Sequence, residues 1–317
     1  MALLSRKRVI LAKIETTYGT DPTPTGAANA ILVRNLDVTP LDADIVSRDL
    51  VRPYLGSYEQ IIAAQKVSVS FEVELQGSGT AGSAPAYGPL LRACGLSETV
   101  SAGVKVDYKP VSGTFESATI YVQLQQDVSG NSPLHKLTGC RGNVEFTLNA
   151  KSLPVMKFSF TGIYNAVTDA AVVTATYTAF KTPLAVNKTN TPTFSIMGYA
   201  GVMSEFGLNL NNEVTYRNLV GSEQVLVTDR KGGGTAVFEA PTVTAKNFFT
   251  DALASSLGSL SLVHGTTAGS IIEFAATNTL DITTPSYTEM DGIVMMSVPY
   301  VLVPTTAGND EFTLSVR

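Results

Sequence analysis

The sequence predicts a mainly β protein built from two similar modules in tandem. Its 317 residues include 26 Gly and 15 Pro, and Thr, Ser, Val and Ala are abundant, which is typical of strands joined by turns. Several segments alternate between apolar and polar side chains, as half-buried strands do. A chain of this length has room for two domains of about 150 residues, and an internal repeat supports that division.

The repeat consists of short matches that occur in the same order in both halves. Residues 48–51 (Arg-Asp-Leu-Val) recur as residues 217–220 (Arg-Asn-Leu-Val), and residues 71–72 (Phe-Glu) recur as residues 238–239. A short helical pattern follows each Phe-Glu pair. The common order and similar spacing of these matches indicate a duplicated module, which favours binding or assembly over catalysis.

The chain divides into four segments. Residues 14–30 are rich in Gly, Pro and Thr and cannot sustain regular structure, so residues 1–30 are expected to form an N-terminal extended arm. The first domain is expected at residues 31–170 and the second at residues 196–317. Residues 171–195 lack clean alternation and are expected to form the crossover between them.

The clearest strand of the first module spans residues 66–75. Its polar positions, including Glu72 and Glu74, take one face, and its apolar positions take the other: Val67, Val69, Phe71, Val73 and Leu75. Residues 143–149 alternate in the same way, with Glu145 on the polar face. A strand around residues 156–160 returns after a short turn, which predicts a hairpin.

Two short helices and further strands complete the modules. Residues 89–95 begin with Pro and end with Gly, which predicts a helix with Gly95 at its C-terminal cap. The second module repeats this pattern at residues 245–257, with Gly258 as the corresponding glycine. Strands are expected around residues 271–276 and 292–303. The second of these is apolar on both faces, which indicates a sandwich interior or a subunit contact.

Two longer polar stretches, residues 40–65 and 211–233, read as hairpin arms. Both contain the repeated Arg-Asp/Asn-Leu-Val motif, so its apolar residues are candidate assembly contacts, with local packing of each hairpin as the alternative: Leu50, Val51, Leu219 and Val220. Residues 231–234 (Lys-Gly-Gly-Gly) lack the spacing of a phosphate-binding loop and are expected to form a flexible hairpin tip.

The sequence offers little for catalysis, metals or cofactors. It contains no motif of a hydrolase elbow, zinc protease, dinucleotide-binding fold or calcium loop, so no enzymatic role and no cofactor are expected. Cys94 and Cys140 are expected to be buried thiols, and His135 and His264 to lie in loops or at edges. The N-terminal apolar run is too short for a signal peptide, and no stretch approaches the length of a membrane span.

The net charge of −5 falls mainly in the second half of the chain. No cluster of Lys and Arg provides the phosphate neutralisation that sequence-specific binding to nucleic acid needs. Mild acidity suits a surface past which DNA moves without adhering, because like charges repel.

The chain resembles the major tail tube proteins of bacteriophages with long non-contractile tails. The resemblance rests on residues 13–24 (Lys-Ile-Glu-Thr-Thr-Tyr-Gly-Thr-Asp-Pro-Thr-Pro), on residues 36–40 and on the strand, helix, strand order of the first module. It implies a fold of two packed antiparallel sheets with one flanking helix per domain. It also implies rings that stack into a hollow tube conducting DNA.

The resemblance carries further expectations. Two tube domains in one chain imply trimeric rings with pseudo-sixfold symmetry, located in the virion tail and assembled in the host cytoplasm. Expected partners are other copies of the chain, the tail terminator, distal tail and tape-measure proteins, and double-stranded DNA that passes without specific contact. No membrane is expected. Closing sheet edges between subunits would remove unpaired backbone groups.

We hypothesise that polar strand faces line an electronegative lumen, although these residues could equally face solvent or a neighbouring subunit. The candidates are acidic residues from both modules: Glu72, Glu74, Glu145, Glu239 and Asp281. Competing functions are another β-rich virion component, such as a baseplate or capsid decoration protein, or a surface adhesin. A carbohydrate-active enzyme fits less well, because the chain has no Trp to stack on sugars.

Overall fold

A computed structural model describes residues 2–126 and 130–317, so Met1 of the expected arm lies outside the described residues. The fold is mainly β with two short helices among the described residues, which confirms the predicted fold class. The elements of the first half are β1 (Leu3–Ile14), β2 (Ala30–Ile31), β3 (Arg34–Val46), β4 (Ile61–Glu74), α1 (Gly88–Ala93), β5 (Leu96–Ser101), β6 (Lys105–Pro110), β7 (Ala118–Gln126), β8 (Asn131–Asn149), β9 (Val155–Tyr164) and β10 (Thr168–Ala171).

The second half contains ten strands and one helix among the described residues. They are β11 (Thr193–Ile196), β12 (Met203–Asn209), β13 (Asn212–Leu219), β14 (Ser222–Arg230), β15 (Gly233–Glu239), α2 (Phe248–Leu253), β16 (Gly258–His264), β17 (Ile272–Ile282), β18 (Ser286–Met290), β19 (Ile293–Leu302) and β20 (Thr313–Val316).

Eight strands form one continuous antiparallel sheet, here called the main sheet. Their order is β3, β4, β9, β8, β12, β15, β19 and β18. The pairing of β8 with β12 joins the first half of the chain to the second. The two halves therefore share a sheet as well as a polypeptide.

A second layer covers one face of the main sheet. In the first half it consists of β2, β1, β7, the beginning of β8, and β10. In the second half it runs through β11, β16, β17 and β20 and continues into β6 and β5 of the first half. Strand β8 serves both layers and turns at Gly139, whose φ of +61° requires a glycine-like conformation.

The core lies between the two layers. Apolar side chains of the main sheet point toward the second layer and are almost completely buried, among them Phe71, Phe158, Phe146, Phe206 and Phe238. The residues between them in sequence take the opposite, polar face. Helix α1 packs on β1 and β5 within this core.

The strands of the two halves pair in the same order. Strand β4 pairs with β9, and β9 pairs with β8; in the second half β15 pairs with β19, and β19 pairs with β18. Phe71 lies opposite Phe158, and its repeat counterpart Phe238 lies opposite Met296. Strands β5 and β6 follow α1 without a counterpart after α2, where β16 begins directly.

The helices end differently from one another. Helix α1 has Pro89 in its first turn and is followed by Gly95 at a φ of +81°, as the sequence predicts. The second helix is shorter than predicted and ends at Leu253, and Ser255 takes the positive φ that follows it. The prediction that Gly258 ends this helix is wrong, because Gly258 begins β16, and a Cβ there would lie 2.1 Å from the Met197 Sδ.

Three other local expectations need correction. Residues 3–14 of the expected N-terminal arm form β1, which pairs with β7. Gly233 and Gly234 begin β15 at the base of an arm, where a Cβ on Gly234 would lie 1.9 Å from the carbonyl of Gly207. His264 is a buried strand residue whose ring nitrogens contact the Thr191 hydroxyl at 2.9 Å and the Leu184 carbonyl at 3.1 Å.

Candidate functional site

The polar face of the main sheet carries a row of directly opposed residues that crosses seven strands. The row runs from Glu72 through Lys157, Glu145, Asn209, Gly233 and Val301 to Asp281. Asp281 lies at the end of β17, where that strand leaves the second layer and pairs with β19 of the main sheet. Directly opposed residues in an antiparallel sheet share a face. Three of the acidic residues singled out from the sequence therefore lie on one surface, although they come from both halves of the chain.

The other two predicted acidic residues share that surface. Glu74 lies two residues beyond Glu72 on β4, and Glu239 lies six residues beyond Gly233 on β15, so both point to the same side. Sequence reasoning missed Glu205 and Asp37, which are exposed on this face opposite Val237 and Ser70. The polar partners of the apolar alternation in β12 would have identified Glu205.

Charges on this face are partly paired. Lys157 stands between Glu72 and Glu145 on neighbouring strands, and the Arg34 guanidinium contacts the Glu72 carboxylate at 2.7 Å. Partial burial raises the pKa of Glu72, but hydrogen bonds from Asn35 and Arg34 and the nearby charges of Arg34 and Lys157 outweigh it, so the pKa lies below its usual value. Glu72 therefore keeps its negative charge at neutral pH.

The first arm, residues 44–62, extends from the end of β3 and the beginning of β4. Among the described residues its strands pair only with each other, and the segment between them has no regular structure. Apolar side chains on it are exposed: Ile45, Val46, Leu50, Val51, Tyr54, Leu55, Ile61 and Ile62. Leu50 and Val51, the predicted contact residues, are thus not packed within the chain.

The second arm, residues 212–230, is the hairpin of β13 and β14. Leu219 pairs with Ser222 at its tip, and Leu219 and Val220 are exposed. Unlike the first arm, its lower part lies against the other half of the chain. The Tyr216 hydroxyl donates to the Gln65 carbonyl at 2.8 Å, and the Asn212 amide donates to the Cys94 carbonyl at 2.7 Å.

The N-terminal segment on which the family resemblance rests has a defined structural role. Glu15 is 7% exposed, and its carboxylate accepts hydrogen bonds from the backbone N–H groups of Gly19 (2.8 Å) and Gly139 (2.7 Å). The hydroxyls of Ser117 and Thr119 also donate to it, both at 2.6 Å. One buried carboxylate thereby holds together three segments of the first half.

Tyr18 of the same segment connects it to the second arm. The backbone N–H of Val225 donates to the Tyr18 hydroxyl at 2.5 Å, and the Arg141 guanidinium donates to the Val225 carbonyl at 2.8 Å. Arg141 also lies over the Tyr18 ring, 5.0 Å from its centroid. Val225 is fully buried, so these contacts fix the middle of the second arm on the first half.

The described residues contain no group of three or more His, Cys, Asp or Glu side chains arranged to hold a metal ion. Cys94 and Cys140 are free and buried, as predicted, and burial raises the pKa of both thiols. An open cleft of about 400 Å³ lies between the polar face and the base of the second arm, lined by Asp37, Ser70 and Asn143, among others.

In the part of the chain that the structure describes, no helix is long and apolar enough to cross a membrane. In a comparison with protein families, residues 5–304 fit the family described as "Phage tail tube protein". No curated protein matches the sequence significantly. The family match covers nearly the whole chain, including both halves of the main sheet.

Proposed function

The chain belongs to the phage tail tube protein family, which makes it a structural protein of the virion tail, and we propose that its copies form stacked trimeric rings around a channel for DNA. The family assignment confirms the resemblance inferred from the sequence. It also favours the tail tube over a baseplate protein, a capsid decoration protein, an adhesin or a carbohydrate-active enzyme.

The main sheet is the observation that carries this proposal. It is eight strands wide, buried on one face and polar on the other, and its outermost strands β3 and β18 each pair on one side only among the described residues. Three copies of eight strands would give a closed barrel of 24. With strands about 4.8 Å apart and tilted by about 40°, that barrel would be roughly 50 Å across between backbones.

The polar face is the proposed lumen wall. Glu72, Glu74, Glu145, Glu239 and Asp281 would then face the channel, joined by Glu205 and Asp37. A wall with a net negative charge repels the DNA backbone and prevents adhesion during passage. Lys157 and Arg34 reduce this charge locally without reversing it.

The arms are the proposed contacts between subunits and between rings. Apolar side chains are exposed at the tips of both arms: Leu50, Val51, Leu219 and Val220. Their burial against another copy would be favourable, because it removes apolar surface from water. Contacts made head to tail do not close on themselves and therefore produce filaments. Other tail proteins, such as the terminator, distal tail and tape-measure proteins, would bind the ends or the interior of such a filament.

The two halves are proposed to act as two tube domains, at residues 31–170 and 196–317, joined by the crossover at residues 171–195. The matching pairing order of their strands supports this division. Two such domains per chain make a trimer the natural way to reach six positions around a ring.

Electron microscopy of the concentrated, purified protein tests the proposal. We expect hollow tubes about 100 Å wide with a stain-filled channel and three-fold symmetric end views. Discrete closed particles without a channel, or a protein that stays monomeric at every concentration, would count against a tail tube.

A further inference from the structure

Strand β20 joins the parts of the second layer that come from the two halves of the chain. It lies between β17 of the second half and β6 of the first half and pairs antiparallel with both. Leu314, Ser315 and Val316 are almost completely buried in this position. The Ser315 hydroxyl also donates to the Asp107 carboxylate of β6 at 2.5 Å. Among the described strands, β6 and β17 are therefore connected through β20.

The segment that leads into β20 reaches the base of the second arm. Residues 309–317, here called the latch, include Glu311, which is 8% exposed. The Glu311 Oε1 accepts a hydrogen bond at 2.7 Å from the guanidinium of Arg230, which ends β14. The Thr279 hydroxyl on β17 donates to the Glu311 carbonyl at 2.7 Å and so fixes this residue to the second half. The latch thus contacts both halves of the chain and the second arm.

Arg230 connects the same point to the first half. A second nitrogen of its guanidinium donates to the Val111 carbonyl at 2.7 Å, directly after β6. The side chains of Arg230 and Glu311 are each 11% exposed, so solvent and salt screen their attraction only weakly. Removal of either partner leaves a buried charge without its counter-ion, which is strongly unfavourable. The position of the arm and the closure of the latch therefore both depend on this ion pair.

The arm and the latch are not closely packed around the pair. A cleft of about 350 Å³ opens where the second arm, the first half and the loop before β20 meet, and its lining includes Val227, Phe115 and Leu302. In the part of the chain that the structure describes, the contact of Arg230 with Glu311 is the hydrogen bond that joins the arm to the latch. Without close packing between them, each segment can open locally when this contact is lost.

We propose that the second arm and the latch are coupled through Arg230 and Glu311, so that a contact which holds the arm in place also keeps the latch closed. This inference rests on the proposed arm contacts in the tube and adds their effect on the subunit that makes them. A neighbour that binds the docked arm favours the state with the closed latch, because it binds that state better. Incorporation into a tube then strengthens the connection between the two halves of each subunit.

Coupling of this kind acts in both directions. If a held arm closes the latch, a closed latch holds the arm to the same extent, because the coupling free energy belongs to both sites. The unassembled protein therefore permits a direct test, in which the latch is closed covalently and the arm is observed. Asp107 and Ser315 suit this purpose, because they are directly opposed and their side chains are in contact.

The variant Asp107→Cys/Ser315→Cys places a disulfide across the latch of the full-length chain, where native Cys94 and Cys140 are buried. Reduction removes the bond and also leaves the latch without its hydrogen bond from Ser315, so the latch opens more often. We expect amide hydrogen exchange of residues 222–230 to be about fivefold slower in the oxidised form, with unchanged exchange in β4 and β9. The reduced form is the matched control, because its sequence is identical.

Two further variants break the ion pair from its two ends. Glu311→Gln changes the latch and should speed exchange in β14 about tenfold, whereas Arg230→Gln changes the arm and should speed exchange in β20 about tenfold. The double variant should exchange no faster than the single variants, since the same pair can be lost only once. Glu116→Gln is the matched control, because it breaks the pair of Glu116 with Arg92, which belongs to neither segment.

The assembled protein provides the last comparison. In wild-type tubes β20 should exchange about tenfold more slowly than in the unassembled protein, and Arg230→Gln should reduce this gain. Variants that loosen only the segment in which they lie, or equal exchange of β14 in the oxidised and reduced forms, would overturn the coupling and leave the tube function standing. A wild-type protein that never assembles would overturn the tube function, while the comparisons in the unassembled chain would still decide the coupling.

Discussion

Phe146 of the first half lies edge to face against Phe274 of the second half, with ring centroids 5.2 Å apart. Both rings are almost fully buried, and Phe206 packs on Phe274 as well, at 5.5 Å. The core thus continues from one half into the other beneath the joint of β8 and β12. The repeat in sequence does not produce two independent folding units.

We therefore predict that Phe146→Ala destabilises the whole chain. Loss of a buried phenylalanine ring leaves a cavity and costs about 3–5 kcal/mol. Calorimetry should show one unfolding transition shifted to lower temperature, with strands of both halves losing hydrogen-exchange protection together. Phe249→Ala is the matched control, because its half-buried ring contacts Tyr287 within the second half. Two separate transitions, with only the first shifted, would contradict a shared core.

The sequence predicts the elements of this fold better than their connections. Alternation identifies β4 and the hairpin of β8 and β9, because each residue there contributes its own preference for a buried or polar face. The pairing of β8 with β12 depends on which strand edges stay unpaired after neighbouring strands have paired. The sequence of a single segment therefore does not predict it. The local sequence does not predict the burial of His264, because that burial depends on a loop, residues 184–191, that packs over its strand.

The candidate surfaces also depend on two kinds of information: the local alternation of each strand and the pairing between distant strands. Glu72, Glu74 and Glu145 could be assigned to polar strand faces from their neighbours, but only the cross-strand register places them in one row with Asp281. The sequence predicts a flexible tip at Gly233, because glycine runs are typical of turns. In the structure the glycines instead permit close approach of backbones, which sequence alone does not distinguish from flexibility.

We predict that Glu15→Gln lowers stability despite its similar size. The carboxylate accepts one backbone N–H and one hydroxyl hydrogen bond at each oxygen, and an amide NH2 would face two donors instead. Buried donors left without acceptors cost about 1–3 kcal/mol each. Urea unfolding should therefore give a loss of about 2–4 kcal/mol, against less than about 0.5 kcal/mol for the exposed control Glu213→Gln. Equal stability of the two variants would remove Glu15 from this role.

We predict that His264 makes the fold sensitive to mild acid. Burial lowers its pKa, although the Leu184 carbonyl opposes the shift. As the pH falls, His264 therefore takes up its proton in the unfolded chain before it does so in the folded chain. The stability that neutral His264 provides is complete above 6.5, its pKa in the unfolded chain, and it declines as the pH falls toward the lower pKa of the folded state. Melting temperatures of His264→Asn should fall less between about pH 7.5 and pH 5 than those of the wild type.

His135→Asn provides the comparison for that measurement, because burial lowers the pKa of this half-buried histidine too. The variant should retain the share of the pH dependence that belongs to His264. Should His264→Asn keep the full wild-type dependence, the acid sensitivity must arise elsewhere.

We predict that the first arm is needed for assembly and dispensable for folding. Replacing residues 44–62 by an Asn-Gly turn removes only strands that pair with each other, so the melting temperature should change little. Sedimentation should show a soluble protein that forms no tubes. Wild-type tube yield from this variant would exclude the first arm from assembly.

Single substitutions at the tips refine this test. Val51→Asp and Val220→Asp place a charge on fully exposed residues, so neither should alter the fold, yet each should reduce tube yield at least tenfold if the tip is buried in the assembly. Val100→Asp, at an exposed valine of β5, is the matched control and should assemble normally.

The last prediction concerns the charge of the polar face. Replacing Glu72, Glu74, Glu145, Glu239 and Asp281 by Lys would turn the proposed lumen wall positive, and DNA would then bind to it through its phosphates. Tubes should still form, because these residues lie away from the core and from both arm tips. DNA ejection from phage carrying the variant should slow or stop, and purified tubes should retain labelled DNA at low salt and release it as salt rises.

A smaller pair of variants separates position from net charge. Glu145→Lys/Glu239→Lys changes two residues of the polar face. Asp169→Lys/Asp310→Lys makes the same change in charge away from that face, at exposed Asp169 on β10 and at half-buried Asp310 in the loop before β20. Only the first variant should retain DNA and slow ejection. Equal effects from both would mean that total charge matters, and normal infectivity of the five-residue variant would mean that this face does not line the channel.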